Sequence, residues 1–181
     1  MKKILLLFSV AGMLSLSGCN NDDNFDNGNG YDQDTVAEVF ETIPLTFTAA
    51  GEYRSVVTLD PQLLEADMVL VYRLTDDPDT TLDVWELIPR TVYDAGGVLG
   101  AEIDYDYNFT QQDILLYMGS NANLADFPAY TQNQIFRVVI IPGYASNFRT
   151  AKPDMNEFKD YNAVIKKYGI NDSNIKKLSV K

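Results

Sequence analysis

From residue 36 to residue 142 the chain is cut into short apolar runs, each closed by Pro, Gly, Asn or Asp, and several runs alternate apolar with polar residues. That cadence leaves no room for the helices that parallel strands need between them, so it points to an antiparallel β domain. Ile103, Tyr105, Tyr107 and Phe109 alternate with Glu102, Asp104, Asp106 and Asn108, the pattern of a strand with one dry and one wet face. The runs 68–74 and 134–141 are more densely apolar, and 113–118 supplies a further strand. Residues 44–49 and 53–59 read as a hairpin about Ala50-Gly51-Glu52, and 62–66 as a helical turn after Asp60-Pro61. Pro89 interrupts the run 84–93, which places that segment at a sheet edge or bulge.

The pattern changes near the C-terminus. Met155, Phe158, Tyr161, Val164, Ile165 and Tyr168 recur at steps of three and four, predicting an amphipathic helix over 154–168 that Gly169 ends. Asn171-Asp172-Ser173 is expected to cap a last short turn carrying Ile175 and Leu178. Lysines segregate here too: seven fall between Lys152 and Lys181, against five arginines and 17 acids in 35–151. The fold expected is mainly β, an antiparallel β-sandwich over 36–150 with a C-terminal α-helix, within 151–181, packed on it.

Ahead of this domain stands a different kind of sequence. Lys2 and Lys3 precede an apolar stretch, Leu16-Ser17-Gly18 follows, and Cys19 is the single cysteine of the chain. This is the layout of a lipoprotein signal peptide over 1–18, with Cys19 the lipidated first residue of the mature chain. The apolar stretch is shorter than the roughly 20 residues a spanning helix needs. Residues 19–35 are acidic, Gly- and Asn-rich, and read as a flexible tether. Several acyl chains on one cysteine make the membrane attachment effectively permanent.

Charge and missing residue types narrow the chemistry. The net charge of −12 disfavours nucleic acid, whose phosphates call for clustered Lys and Arg. With no histidine, the Ser-His-Asp and Cys-His arrangements and the usual zinc ligand sets are excluded. The loop Asp76-Asp77-Pro78-Asp79 through Asp83 offers four carboxylates to a calcium ion, but it lacks the EF-hand glycine and terminal glutamate and reads more simply as a solvated hairpin loop. Apart from the lipid on Cys19, no cofactor is expected. Along the strand 102–109, alternation sends the tyrosines to the face opposite the acids.

Taken together, the lipid signal, Met68-Val69-Leu70-Val71-Tyr72, the segment 84–89, the string Thr131-Gln132-Asn133-Gln134 with Phe136-Arg137, and Tyr161-Asn162-Ala163-Val164 resemble a family of small Bacteroidota outer-membrane lipoproteins. Many members of that family carry a collagen-like segment between cysteine and β domain, which the acidic linker replaces here. The acidic Asn21-Asp22-Asp23 is similar to the export signal that sends such lipoproteins to the outer face of the outer membrane. The resemblance implies a lipid-anchored protein facing the cell exterior. Two function classes follow: a non-catalytic surface module binding a protein partner or glycan, or serving an outer-membrane assembly, which is the preferred reading; and a carboxylate-dependent hydrolase of extracellular polysaccharide.

Overall fold

A computed structural model describes residues 36–143 and 155–181. The signal segment, Cys19 and the tether lie outside the described residues, as do 144–154. The strands are β1 (Glu38–Thr42), β2 (Arg54–Thr58), β3 (Met68–Thr75), β4 (Val84–Ile88), β5 (Arg90–Tyr93), β6 (Glu102–Phe109), β7 (Asp113–Ser120), β8 (Phe136–Ile141) and β9 (Lys176–Leu178). Two helices join them, α1 (Pro128–Thr131) and α2 (Tyr161–Tyr168). One sheet has the order β4-β3-β8-β1-β9 and the other β2-β7-β6-β5. Every strand pair is antiparallel except β1 with β9.

The two sheets form the expected sandwich. Phe40, Val69, Val71, Phe136, Val138 and Ile140 of the first sheet share one core with Val57, Ile103, Tyr105, Ile114 and Leu116 of the second. The alternate residues Val39, Leu70, Tyr72, Val139 and Ile141, with Trp85, face the other way and meet Phe158, Tyr161, Val164 and Ile170 of the C-terminal segment. The first sheet is therefore covered on both faces, which is why β3 and β8 are continuous apolar runs. Among the described residues the second sheet is covered on one face, which matches the alternation of β6. Each large apolar side chain in the helix seam contributes about 1.5–3 kcal/mol of burial.

The C-terminal segment does more than cover a sheet. Its helix is shorter than expected, because Asp160 adopts extended backbone and its carboxylate accepts from Ala163 N–H at 3.1 Å, capping α2 at Tyr161. Residues 155–158 form a separate 3-10 turn. Gly169, at φ 65°, closes the helix in the left-handed conformation that glycine adopts without strain. In place of the expected final turn, 176–178 extend as β9 beside β1. Asn171 folds back on the N–H and hydroxyl of Ser173, and the chain then runs straight, burying Leu178 in the core. Past β9, Thr58 N–H donates to Ser179 C=O at 3.0 Å and Lys181 N–H to Val56 C=O at 3.0 Å, so one segment hydrogen-bonds to both sheets. Lys177 pairs with Glu41 and Lys181 with Asp113, so lysines of the basic tail meet carboxylates of the sheets.

The hairpin expected over 44–59 does not form. Glu52 and Tyr53 take left-handed backbone (φ 52° and 54°) after a 3-10 turn, which carries the chain away from its own preceding residues. Leu45 bonds instead to Gln134, and β2 pairs with β7. Residues 62–66 are not helical, since Leu64 and Asp67 close a tight turn through Leu64 N–H to the Asp67 carboxylate at 2.8 Å. Pro89 falls at the corner where the chain leaves β4 for β5, and both are edge strands.

Candidate functional site

The alternation that puts Val69 and Val71 into the core also turns Arg73 inward. It lies between the sheets where the sandwich opens, aligned with Phe136 of β8 and Glu86 of β4, and is 8% exposed. A buried guanidinium needs compensation. Its Nε donates to Gln134 Oε1 at 2.8 Å, and its Cζ lies 4.2 Å from the centre of the Tyr105 ring. The Gln134 amide is fixed in turn, its Nε2 donating to the carbonyls of Ala129 (2.9 Å) and Gln132 (2.7 Å). Tyr105 donates its hydroxyl to Tyr130 C=O at 2.7 Å. Burial pushes the Tyr105 phenol up to about 12, against the pull of Arg73 in the other direction. Among the described residues no carboxylate forms an ion pair with Arg73.

Arg73 forms part of the wall of a cleft of about 420 Å³, which also includes Glu86, Arg90, Thr91, Tyr93 and Tyr130. That volume lies within the range of small-molecule sites. Glu86 is held by Arg90 at 2.9 Å. The Tyr130 hydroxyl accepts from Gly96 N–H at 2.9 Å. Its own hydrogen can therefore be donated elsewhere. The cleft thus combines a positioned guanidinium, hydroxyls, carboxylate acceptors and an exposed tyrosine ring at its rim.

No protein-family model, curated protein or solved structure matches the chain. What the site can do is therefore read from its residues.

Of the acids singled out in the sequence, Asp76 lines this cleft and the others lie elsewhere. Asp104 and Asp106 project from β6 onto the open face of the second sheet, beside a depression of about 390 Å³. Asp104 accepts from the Thr91 hydroxyl at 2.6 Å and Asp106 from the Tyr117 hydroxyl at 3.0 Å, a bond that raises the Tyr117 phenol. As expected, Tyr105 and Tyr107 point away, and the Tyr107 hydroxyl reaches Val69 C=O at 2.8 Å. Tyr117 joins the acids because β7 aligns it with Asp106, a cross-strand register that alternation along one strand does not reveal. Asp76, Asp77, Asp79 and Asp83 follow the exposed β3–β4 loop, where Asp77 is occupied by Asp79 N–H at 2.9 Å. Among the described residues, no three acidic or other ligating side chains gather as a metal site. Cys19, Asn21, Asp22 and Asp23 lie outside the described residues. Among the described residues no helix is long and apolar enough to cross a membrane.

Arg73 and Gln134 were missed as site residues. The available signal was one arginine at an inward position of an otherwise apolar strand, with a glutamine in the Thr131–Arg137 string to hold it.

Proposed function

We propose that this chain is a non-catalytic binding module, lipid-anchored through Cys19 to the outer membrane and carried to the cell exterior by Asn21, Asp22 and Asp23, which takes a glycan into the end cleft of its sandwich. The observation that carries the reading is Arg73: a buried cation, oriented by Gln134 and Tyr105 and lacking a carboxylate partner among the described residues, at the wall of a ligand-sized cleft. A rigid, pre-oriented polar group in a concave site reduces the ordering cost of binding. The tether and lipid suit display at a surface rather than turnover of a diffusing metabolite.

The hydrolase reading draws on Asp76 and Glu86, both lining the same cleft. Glu86 already pairs with Arg90, and Asp104 and Asp106 leave one strand on one side, an arrangement that suits retention of a ligand better than attack from opposite faces. A panel of immobilised polysaccharides, incubated with the full chain and assayed in parallel for retention and for released reducing ends, separates the two. Retention without release is expected. Release abolished by Glu86→Gln would replace the binding module with an enzyme, and neither retention nor release across the panel would reject both.

A further inference from the structure

The end cleft is lined by two cations, Arg73 and Arg90, and two carboxylates, Asp76 and Glu86, but among the described residues only Arg90 and Glu86 pair directly, and the guanidinium left over points to a ligand. Glu86 and Arg90 satisfy one another at 2.9 Å, whereas Arg73 has its Nε engaged by Gln134 and its face on Tyr105. The rest of its guanidinium has no anionic partner among the described residues. A planar fork of N–H donors matches a carboxylate in two-point contact. Asp76 and Glu86 lie in the same cleft, so repulsion, which grows with the ligand's charge, disfavours a phosphate or other multiply charged anion more than a singly charged carboxylate.

The remaining polar groups suit hydroxyls. The Tyr130 hydroxyl can donate, since its hydrogen is not used by the bond it accepts from Gly96. Asp76 and Glu86 carboxylates can accept from sugar hydroxyls, and Tyr93, 69% exposed at the rim, offers an aromatic face to the apolar side of a sugar ring. The opening of about 420 Å³ is small on the scale of ligand sites, and suits a short glycan end better than a folded partner.

We infer that the cleft recognises a uronic-acid residue of a glycan, its carboxylate on Arg73 and its hydroxyls on Tyr130, Glu86 and Asp76. This rests on the binding-module reading and adds the class of sugar. Arg73 is a specificity residue here, and Gln134 a positioning residue that holds its guanidinium in the plane the carboxylate must share.

The test is calorimetric titration of the full lipidated chain in detergent with sodium glucuronate, glucose, propionate and inorganic phosphate. Glucuronate is expected to bind at about millimolar Kd, as befits a single sugar, and the other three at least about tenfold more weakly. Arg73→Gln should lose at least about tenfold of the glucuronate affinity while leaving the residual response to glucose unchanged. Because Arg73→Gln can perturb folding, selective observation of the Arg73 Nε–H resonance in the unsubstituted chain provides a second readout, and it should shift on glucuronate addition. Binding of glucose as tight as glucuronate would overturn the acidic-sugar assignment while leaving the binding module intact. Propionate equal to glucuronate would overturn the sugar part, and phosphate equal to it would overturn the single-charge part. An Arg73 resonance unmoved by saturating glucuronate would reject the site itself.

Discussion

Arg137→Gln is expected to destabilise the protein by about 2–4 kcal/mol, and the figure can be built from its contacts. Arg137 stands next to Phe136 on β8 but faces the opposite side, under the C-terminal segment, with its side chain 13% exposed. Its Nε lies 3.0 Å from Glu41, its Nη1 donates to the Tyr161 hydroxyl at 2.8 Å and lies 3.6 Å from Asp172, and its Cζ sits 4.0 Å from the centre of the Trp85 ring. Removing one partner of a buried ion pair costs about 3–5 kcal/mol. Here Lys177 still compensates Glu41, which lowers that term, while loss of the contact with Trp85 adds about 0.5–2 kcal/mol. In a chain of this size the sum corresponds to a fall in Tm of about 6–12 °C. Urea unfolding of the full chain, followed by Trp85 fluorescence, measures it directly. A loss below about 1 kcal/mol at unchanged m-value would refute the view that this cluster clamps the helix to the first sheet.

Four further outcomes are expected. Glu41 contributes in a pH-dependent way: burial pushes its carboxyl up, but Lys177 and Arg137 outweigh burial and hold it below its ordinary 4.5. The stability it supplies is present above that value and lost as pH falls through the lowered one, so the gap between the parent and Glu41→Gln should close on acidification. Leu178, 4% exposed, anchors the last strand in the core, and Leu178→Ala should cost about 2–4 kcal/mol by chemical denaturation; a change within 0.5 kcal/mol of zero, roughly the surface-substitution scale, would show that the terminal strand is dispensable. Burial pushes the phenols of Tyr105, Tyr107 and Tyr161 up to about 12, so absorbance titration should show a tyrosine class ionising well above the ordinary 10.0, and stability should decline as pH rises from 10.0 toward 12. Metabolic labelling with a clickable palmitate analogue should mark the parent and leave Cys19→Ala unlabelled, and equal labelling of both would remove the proposed anchor.

The architecture was legible because burial writes itself into residue order. The two-sided cover of the first sheet appears as the apolar density of β3 and β8, and the open face of the second as the alternation of β6. Connections were less legible. Nothing local to 44–59 discloses that Leu45 will meet Gln134 while Val57 meets Ile114, because strand partnering is decided by packing across the whole core. The tail misled for a similar reason. Lys176 to Leu178 has no strong strand preference of its own, and takes extended backbone through the hydrogen-bonding edge of β1. For the candidate site, counting acids drew attention to Asp76 to Asp83 and to Asp104 and Asp106, of which Asp76 alone reaches the cleft and the rest stay on open surfaces. The informative group was a lone cation in an apolar strand. Its role emerges only when Gln134, sixty-one residues away, is seen to hold it.

Where a glycan binds is the most direct test of the proposed function. With isotope-labelled full chain and an acidic oligosaccharide retained by it, chemical-shift mapping should place the perturbed resonances at Arg73, Thr91, Tyr93 and Tyr130, around the end cleft. Perturbations confined to Asp104, Asp106 and Tyr117 on the open face of the second sheet, with Arg73 unmoved, would contradict it.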